Sequence, residues 1–293
     1  MSTDLDIAQY AVSDARAGAE HPTWNLPINH WSPSSLAMLH RCPYQWQQRY
    51  IHGRKERPGE ALVVGTAVHA GVEHNFEQKV ASHEDLPVVD LLDWYHDIGW
   101  AETLDREQQR SGESLIWDTA EETARKRGQV MLSEYHNVVA PRVQPLSTEG
   151  KVAVDLGAPV PVEGRYDVIR SSSVIDVKTG KSKQTKPKEA WRIQAAVYGE
   201  AEGKPVEFHS VSVTKTGVVG IATPLEAERL LVHPSKEERG EIRRTIQALS
   251  TYACFLMEQY GPDEDWPTTG RLHTWACDYC GFRSGCPAWR NAA

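Results

Sequence analysis

The chain has 293 residues, 40% of them hydrophobic, with a formal net charge of −8 and five cysteines. That length and apolar content suffice for one large domain or two ordinary ones, and no run approaches the roughly 18 apolar residues that a membrane span needs. The opening MSTDLDIAQY lacks the basic and apolar regions of a signal peptide, so a cytoplasmic setting is expected, where clustered cysteines bind metal more often than they form disulfides.

Residues 1–30 are polar, unpatterned and broken by Pro22 and Pro27, which predicts a mobile arm. The folded part is expected from Trp31 to the end, 31–293, as one domain. Its parts are a helical region over 31–140, a core over 141–235, and a last helix with a cysteine tail over 236–293. Ser32 and Pro33 form a helix start, after which Leu36, Leu39 and Trp46 share a helical face, and Pro43 interrupts or restarts the helix. GTAVHAGVEHNFEQ predicts a second helix with His69 in its first turns. Further helical patterns run over 87–108 and 114–138, the latter placing Ile116, Ala120, Ala124 and Met131 on one face.

The pattern then turns to β. KVAVDLG, VPVEGRYDVIR and SSVIDVK read as strands joined by tight turns, and a helix follows over 188–202. VEFHSVSVT and GVVGIAT add two strands around a turn at Lys215 to Gly217, and a long helix covers 236–260. This order predicts an α/β fold with a mixed central sheet under helical cover.

Chemistry concentrates in the strands. Asp176 and Lys178 in IDVKTGK lie two apart and so project from the same face, and pairing through the RSSS turn brings Asp167 beside them. An isolated Asp-x-Lys is ordinarily a solvated face, but Val174, Ile175 and Val177 mark a strand buried on both sides, where charge needs a reason. Two carboxylates and an ammonium suit a hard divalent cation acting on a phosphate ester. Gln194 and Tyr198 lie four apart on one helix face, and Glu149 before the first strand is a peripheral acidic candidate.

Three of the five cysteines, Cys277, Cys280 and Cys286, form Cys-x2-Cys-x5-Cys, a spacing that lets thiolates converge on an ion. Two remain for a fourth position: Cys254, inside an apolar helical run, and Cys42, followed like Cys286 by proline.

GRYDV, IDVKTG and QAAVY together resemble the core of the PD-(D/E)XK nuclease superfamily in its RecB-like branch. The tail with a lone N-terminal cysteine resembles the iron-sulfur nucleases of that branch, including the CRISPR-associated Cas-four exonucleases. The resemblance implies a restriction-endonuclease-like fold and a metal-dependent DNA exonuclease that prefers single strands. Its implied catalytic set is Asp167, Asp176, Lys178, Gln194 and Tyr198, with His69, Asp167 and Asp176 holding Mg²⁺ or Mn²⁺. It also implies that Cys42, Cys277, Cys280 and Cys286 hold a structural [4Fe-4S] cluster, although Zn²⁺ accepts the same ligands. Roles in recombination or repair, phage DNA metabolism or CRISPR adaptation all have precedent there. No Walker A pattern is present, so unwinding falls to a partner helicase.

The net acidity excludes non-specific adhesion to nucleic acid over the whole surface, so DNA contact needs a local basic patch. KTGKSKQTKPK supplies one, with Lys181, Lys183, Lys186 and Lys188 leaving the site at Lys178. Arg41, Arg49, Arg54 and Arg57 add to it, and Trp46, Trp275 and Trp289 are candidates for stacking on bases or shielding the cysteine site. A silent, cluster- or zinc-stapled nucleic-acid-binding scaffold is the competing reading.

Overall fold

The computed structural model describes residues 24–214, 219–221, 231–269 and 274–289. Most of the expected N-terminal arm and the expected turn at Lys215 to Gly217 lie outside the described residues. In chain order the elements are α1 (Pro33–Arg41), α2 (Pro43–Tyr50), α3 (Glu60–Ser82), α4 (Val88–Trp94), α5 (Trp100–Ser111) and α6 (Glu121–Val138). Then follow β1 (Ser147–Thr148), β2 (Lys151–Val154), β3 (Val162–Arg165), β4 (Val168–Ile169), β5 (Val174–Gly180), α7 (Glu189–Glu202) and β6 (Val206–Val213). β7 (Val219–Ile221), β8 (Leu231–Val232), α8 (Lys236–Tyr260) and α9 (Thr274–Cys277) complete the set. The chain divides into two compact units, residues 1–56, 153–163 and 235–293, and residues 57–152 and 164–234.

In the first unit, Ser32 caps α1. Its hydroxyl accepts the Ser35 N–H at 3.1 Å, and the Ser35 hydroxyl accepts the Ser32 N–H at 2.8 Å. Pro43 has no N–H to continue the helix, so Cys42 takes an extended conformation (φ −160°, ψ 106°), ending α1 and starting α2. Leu36, Leu39 and Trp46 are all 0% exposed, as the helical spacing predicts. Trp46 lies with its ring centroid 5.5 Å from both Trp31 and Trp266, so it belongs to the core and is not open to a base. Gln47 ties the segment after α8 to α2: its amide donates to the Pro262 and Glu264 carbonyls and accepts from the Trp266 N–H.

The second unit holds the main sheet, in the order β1-β4-β5-β6-β7 with β8 on β6. β5 and β6 are parallel, whereas β1-β4, β4-β5, β6-β7 and β6-β8 are antiparallel, so the sheet is mixed. The β5-α7-β6 crossover supplies the parallel pair. Ile175 and Val177 of β5 pack with Val211 and Val213 of β6 into the core built by α3 and α6, including Val68, Val72, Met131 and Leu132. On the other face, Phe208 stacks at 4.8 Å on Trp191 of α7.

Residues 114–120 depart from the predicted helix. Ile116 instead forms an isolated parallel bridge to Gly59, directly before α3, its N–H donating to the Pro58 carbonyl at 2.9 Å while its carbonyl accepts from the Glu60 N–H at 2.8 Å. The Glu60 carboxylate then takes the Thr119 N–H at 2.7 Å, which fixes the turn before α6.

Behind β5, Glu207 gathers the Ser173 hydroxyl at 2.5 Å, the Arg170 guanidinium and His209 at 3.3 Å, and His209 meets the Tyr135 hydroxyl at 2.9 Å. Burial works against the Glu207 charge, yet the hydrogen bonds from His209 and Ser173 and the charge of Arg170 bring its pKa down to about 2. A depressed pKa contributes stability above the unfolded value near 4.3, and that contribution fades as pH falls toward 2. Glu207→Gln is therefore expected to cost about 2 kcal/mol at pH 7 and much less near pH 3, read from urea unfolding at the two pH values.

Candidate active site and cysteine site

β4 is only two residues long, so on that side β5 soon runs out of ladder partners. Asp167, directly before β4, takes over, and its Oδ2 accepts the Val177 N–H at 2.5 Å. Its Oδ1 lies 3.2 Å from Nδ1 of His69, which α3 presents from mid-helix and not from its first turns. Asp176 and Lys178 project together from β5, with Nζ 2.5 Å from Asp176 Oδ2. Lys178 Nζ also donates to Gln194 Oε1 at 2.9 Å, and Gln194 Nε2 donates to Asp176 Oδ1 at 2.5 Å. Gln194 thus spans the acid and the base of the Asp-x-Lys pair, and its Nε2 lies 2.9 Å from the Tyr198 hydroxyl one helical turn on. That hydroxyl donates at 2.5 Å to the backbone carbonyl of Arg165, so α7 is pinned to β3. Asp167, Asp176, Lys178, Gln194, Tyr198 and His69 are thereby brought together.

Gly164 makes this approach possible, because a Cβ there would overlap the Tyr198 ring. Gly164→Ala is expected to displace Tyr198 and Gln194 and to lower turnover at this site roughly 10- to 100-fold with little change in KM, measured by steady-state kinetics.

The electrostatics follow from burial and pairing. Burial disfavours charge on His69, but the Asp167 carboxylate and its hydrogen bond outweigh it and raise the imidazole pKa. Burial likewise opposes charge on Asp167, yet His69, the Val177 N–H and Lys178 hold its pKa below the usual carboxylate range. Asp176 goes the other way: burial, and then the Asp167 charge, lift it to about 6 against the pull of Lys178. Burial also holds the Tyr198 hydroxyl protonated well above the phenol range. Although Lys178 neutralises it, Asp176 Oδ2 is buried without a well-angled hydrogen bond. A divalent cation would satisfy this acceptor, and an imidazole with two carboxylates is a donor set that Mg²⁺ or Mn²⁺ accepts.

A cavity of about 420 Å³ opens against His69 and Asp167. Glu149 lines it, with φ 51° in the left-handed region and its N–H donating to the Asp167 carbonyl at 2.9 Å. Burial, Asp167 and Glu73 raise Glu149 to about 7, and Arg165 pairs with it. Lys181 stands 3.5 Å from Asp118, an acid in the segment before α6 that the sequence pattern had not placed near the basic loop. Lys188 lies over the Trp191 ring at 5.6 Å, and Lys181, Lys183, Lys186 and Lys188 are all exposed.

Within the first unit, Cys42, Cys277, Cys280 and Cys286 line one small cavity, whereas Cys254 is buried in α8 and does not. None of the five cysteines is in a disulfide. Tyr44 donates to the Gly285 carbonyl at 3.0 Å, and Glu56 accepts the Gly281 N–H at 3.1 Å and the Gln45 amide at 3.0 Å, holding the cysteine loop on α2. Burial, with the charges of Glu56, Cys42 and Cys277 nearby, lifts the Cys280 thiol to about 11. Four soft sulfur donors around one space fit a thiolate-bound metal chemically, since a bound cation favours the thiolate form over the thiol. Trp289 lines the same cavity under the Arg283 guanidinium at 4.2 Å, and the side chain of Trp275 lies outside the described residues. Among the described residues, no group of three or more His, Cys, Asp or Glu side chains is already drawn into metal-ligating geometry; the acids and His69 are spent on one another and on Lys178.

The family model described as the PD-(D/E)XK nuclease superfamily matches residues 30–287. A crystal structure from Eubacterium rectale, of a protein called an exonuclease by assignment, superposes with a TM-score of 0.50 at 11% identity, covering 90% of this chain and 88% of that one. A structure named SSO0001 aligns at a TM-score of 0.34 and 16% identity over 80% of this chain and 87% of that one, too slight a likeness to bear on the fold. No curated protein matches the chain. Among the described residues no helix is long and apolar enough to cross a membrane.

Proposed function

Because the chain belongs to the PD-(D/E)XK nuclease superfamily, we propose that it is a metal-dependent DNA exonuclease of the RecB-like, iron-sulfur branch, acting in the cytoplasm on single-stranded DNA. The observation that carries this reading is the set Asp176, Lys178, Gln194 and Tyr198 closed by direct hydrogen bonds beside the Asp167 and His69 pair. A scaffold with a silent site would have no need to bury this charge. His69, Asp167 and Asp176 would hold Mg²⁺ or Mn²⁺, with Glu149 at the edge of the set. Bound there, the ion would lower the pKa of a water and neutralise charge on the scissile phosphate. Lys178 stands ready to meet the developing negative charge, held in place by Asp176 and Gln194. Tyr198, anchored on β3, fixes Gln194 and through it the lysine. The exposed Lys181 to Lys188 loop leaves the site where a phosphate backbone would pass.

Cys42, Cys277, Cys280 and Cys286 would hold a structural [4Fe-4S] cluster, clasping the start of the folded chain to its tail within the first unit. The same four sulfur ligands would accept Zn²⁺, which is the second reading. Purification without oxygen, metal analysis and cleavage of labelled single-stranded DNA in Mn²⁺ or EDTA test both parts. The expected result is a brown protein that cuts only with Mn²⁺. A colourless protein with one zinc refutes the cluster, and cleavage no better than that of Lys178→Ala refutes the enzyme.

A further inference from the structure

The 420 Å³ cavity is crowded with charge, and nearly every charge in it is already matched. His69 pairs with Asp167, Arg165 with Glu149, and Glu107 with Arg110 at 2.6 Å. That leaves Glu73, one helical turn beyond His69 on α3, and Arg106 on α5. Neither makes a hydrogen bond or close ion pair among the described residues; burial raises the Glu73 pKa, and the charges of Arg165 and, less, Arg106 offset it only in part. Among the described residues Arg106 is therefore the cationic group on this wall held by no hydrogen bond or close ion pair.

We propose that Arg106 is the phosphate-holding residue of this cavity, binding the phosphodiester next to the one that is cut. The proposal rests on the nuclease reading above and adds a binding contact to it. A substrate strand entering here passes Glu73, Glu149 and Asp167, so it needs a fixed cation at the wall as well as the cation in the site. A guanidinium supplies two parallel donors to a phosphate's non-bridging oxygens, which an exposed lysine on a loop does not. Thr103 and Glu107, three residues before and one after Arg106, are buried, so that face of α5 is packed inward while the Arg106 side chain stays exposed. Among the described residues no hydrogen bond or close ion pair engages that side chain, and its motif-free position in WAETLDREQQRS gives no sequence signal.

The test compares wild type, Arg106→Ala and Arg106→Lys on labelled single-stranded oligonucleotides, by steady-state cleavage in Mn²⁺ and by anisotropy binding in Ca²⁺. Arg106→Ala is expected to raise KM about tenfold with kcat within about twofold, and Arg106→Lys to fall between. The slope of log affinity against log salt should shrink by about 0.7, the loss of one phosphate contact on a single strand. Replacing single phosphates by neutral methylphosphonates should locate one position that weakens wild type by the same factor and leaves Arg106→Ala no worse. Unchanged KM and salt slope, or additivity at every position, overturns the proposal while a cleaving wild type preserves the nuclease reading. Arg106-dependent binding by a protein that cuts nothing overturns the nuclease reading and keeps the phosphate site. A wild type that binds no oligonucleotide overturns both.

Discussion

Lys178→Ala is expected to reduce the proposed DNA cleavage by about 10²- to 10³-fold, because on that reading it removes a fixed cation from where charge builds on the phosphate. KM should move far less, since the lysine is engaged inside the fold by Asp176 and Gln194 and is not displayed to incoming DNA. The same substitution strips Asp176 of its counter-charge. Asp176 already titrates at about 6, above the unfolded value near 3.9. Between those values the folded chain keeps a proton that the unfolded chain has released, so stability falls as pH rises through the window. Without Lys178 the folded pKa moves higher and the window widens. Unfolding of Lys178→Ala without divalent metal should therefore show a penalty of about 2–3 kcal/mol at pH 8 that shrinks toward pH 5. Added Mn²⁺ should restore part of it at pH 8, and a loss independent of both pH and metal would contradict the charge pairing.

Cys42→Ala is expected to abolish binding of the proposed metal or cluster and to cost about 4 kcal/mol, the scale of releasing a very long loop. Cys254→Ala is the matched control. Its sulfur is fully buried in α8 and away from the cysteine cavity, so it should keep its metal and lose only about 1 kcal/mol of packing. Metal content per chain and the visible absorption band separate the two variants, and thermal unfolding ranks them. Full metal content in Cys42→Ala would remove Cys42 from the ligand set. Because Cys42 already has an extended backbone between two helices, alanine is tolerated there and the loss can be assigned to the sulfur.

Glu149 and Arg106 mark the limit of motif reading. Glu149 was expected only as a peripheral acidic candidate, and its left-handed backbone, its N–H on Asp167 and its place in the cavity emerge only when β1 and the loop before β4 are brought together. Arg106 has no motif at all, and its position comes from how α5 packs.

What was legible in the chain was local. Ser32 and Pro33 announce α1, Pro43 divides it from α2, and Ser235 and Gly261 bound α8 over the residues expected. Alternation within β5 placed Asp176 and Lys178 on one face, and the four-residue spacing put Gln194 beside Tyr198. Those are consequences of periods of 2 and 3.6, which a sequence carries in full. The helix expected over 114–120 failed because backbone pairing of Ile116 with Pro58 and Glu60 around Gly59 outweighs a weak helical pattern, and such pairing leaves no trace in the spacing. Trp46, open to either reading as an aromatic, is claimed by Trp31 and Trp266 from distant segments. The tertiary structure alone decided which charges meet. Asp167 finds the Val177 N–H because β4 is short, Gln194 spans Asp176 and Lys178 because Gly164 lets α7 approach, and four cysteines from both ends of the chain share one cavity. Pairing energies depend on distance and burial, and neither is written into the order of residues.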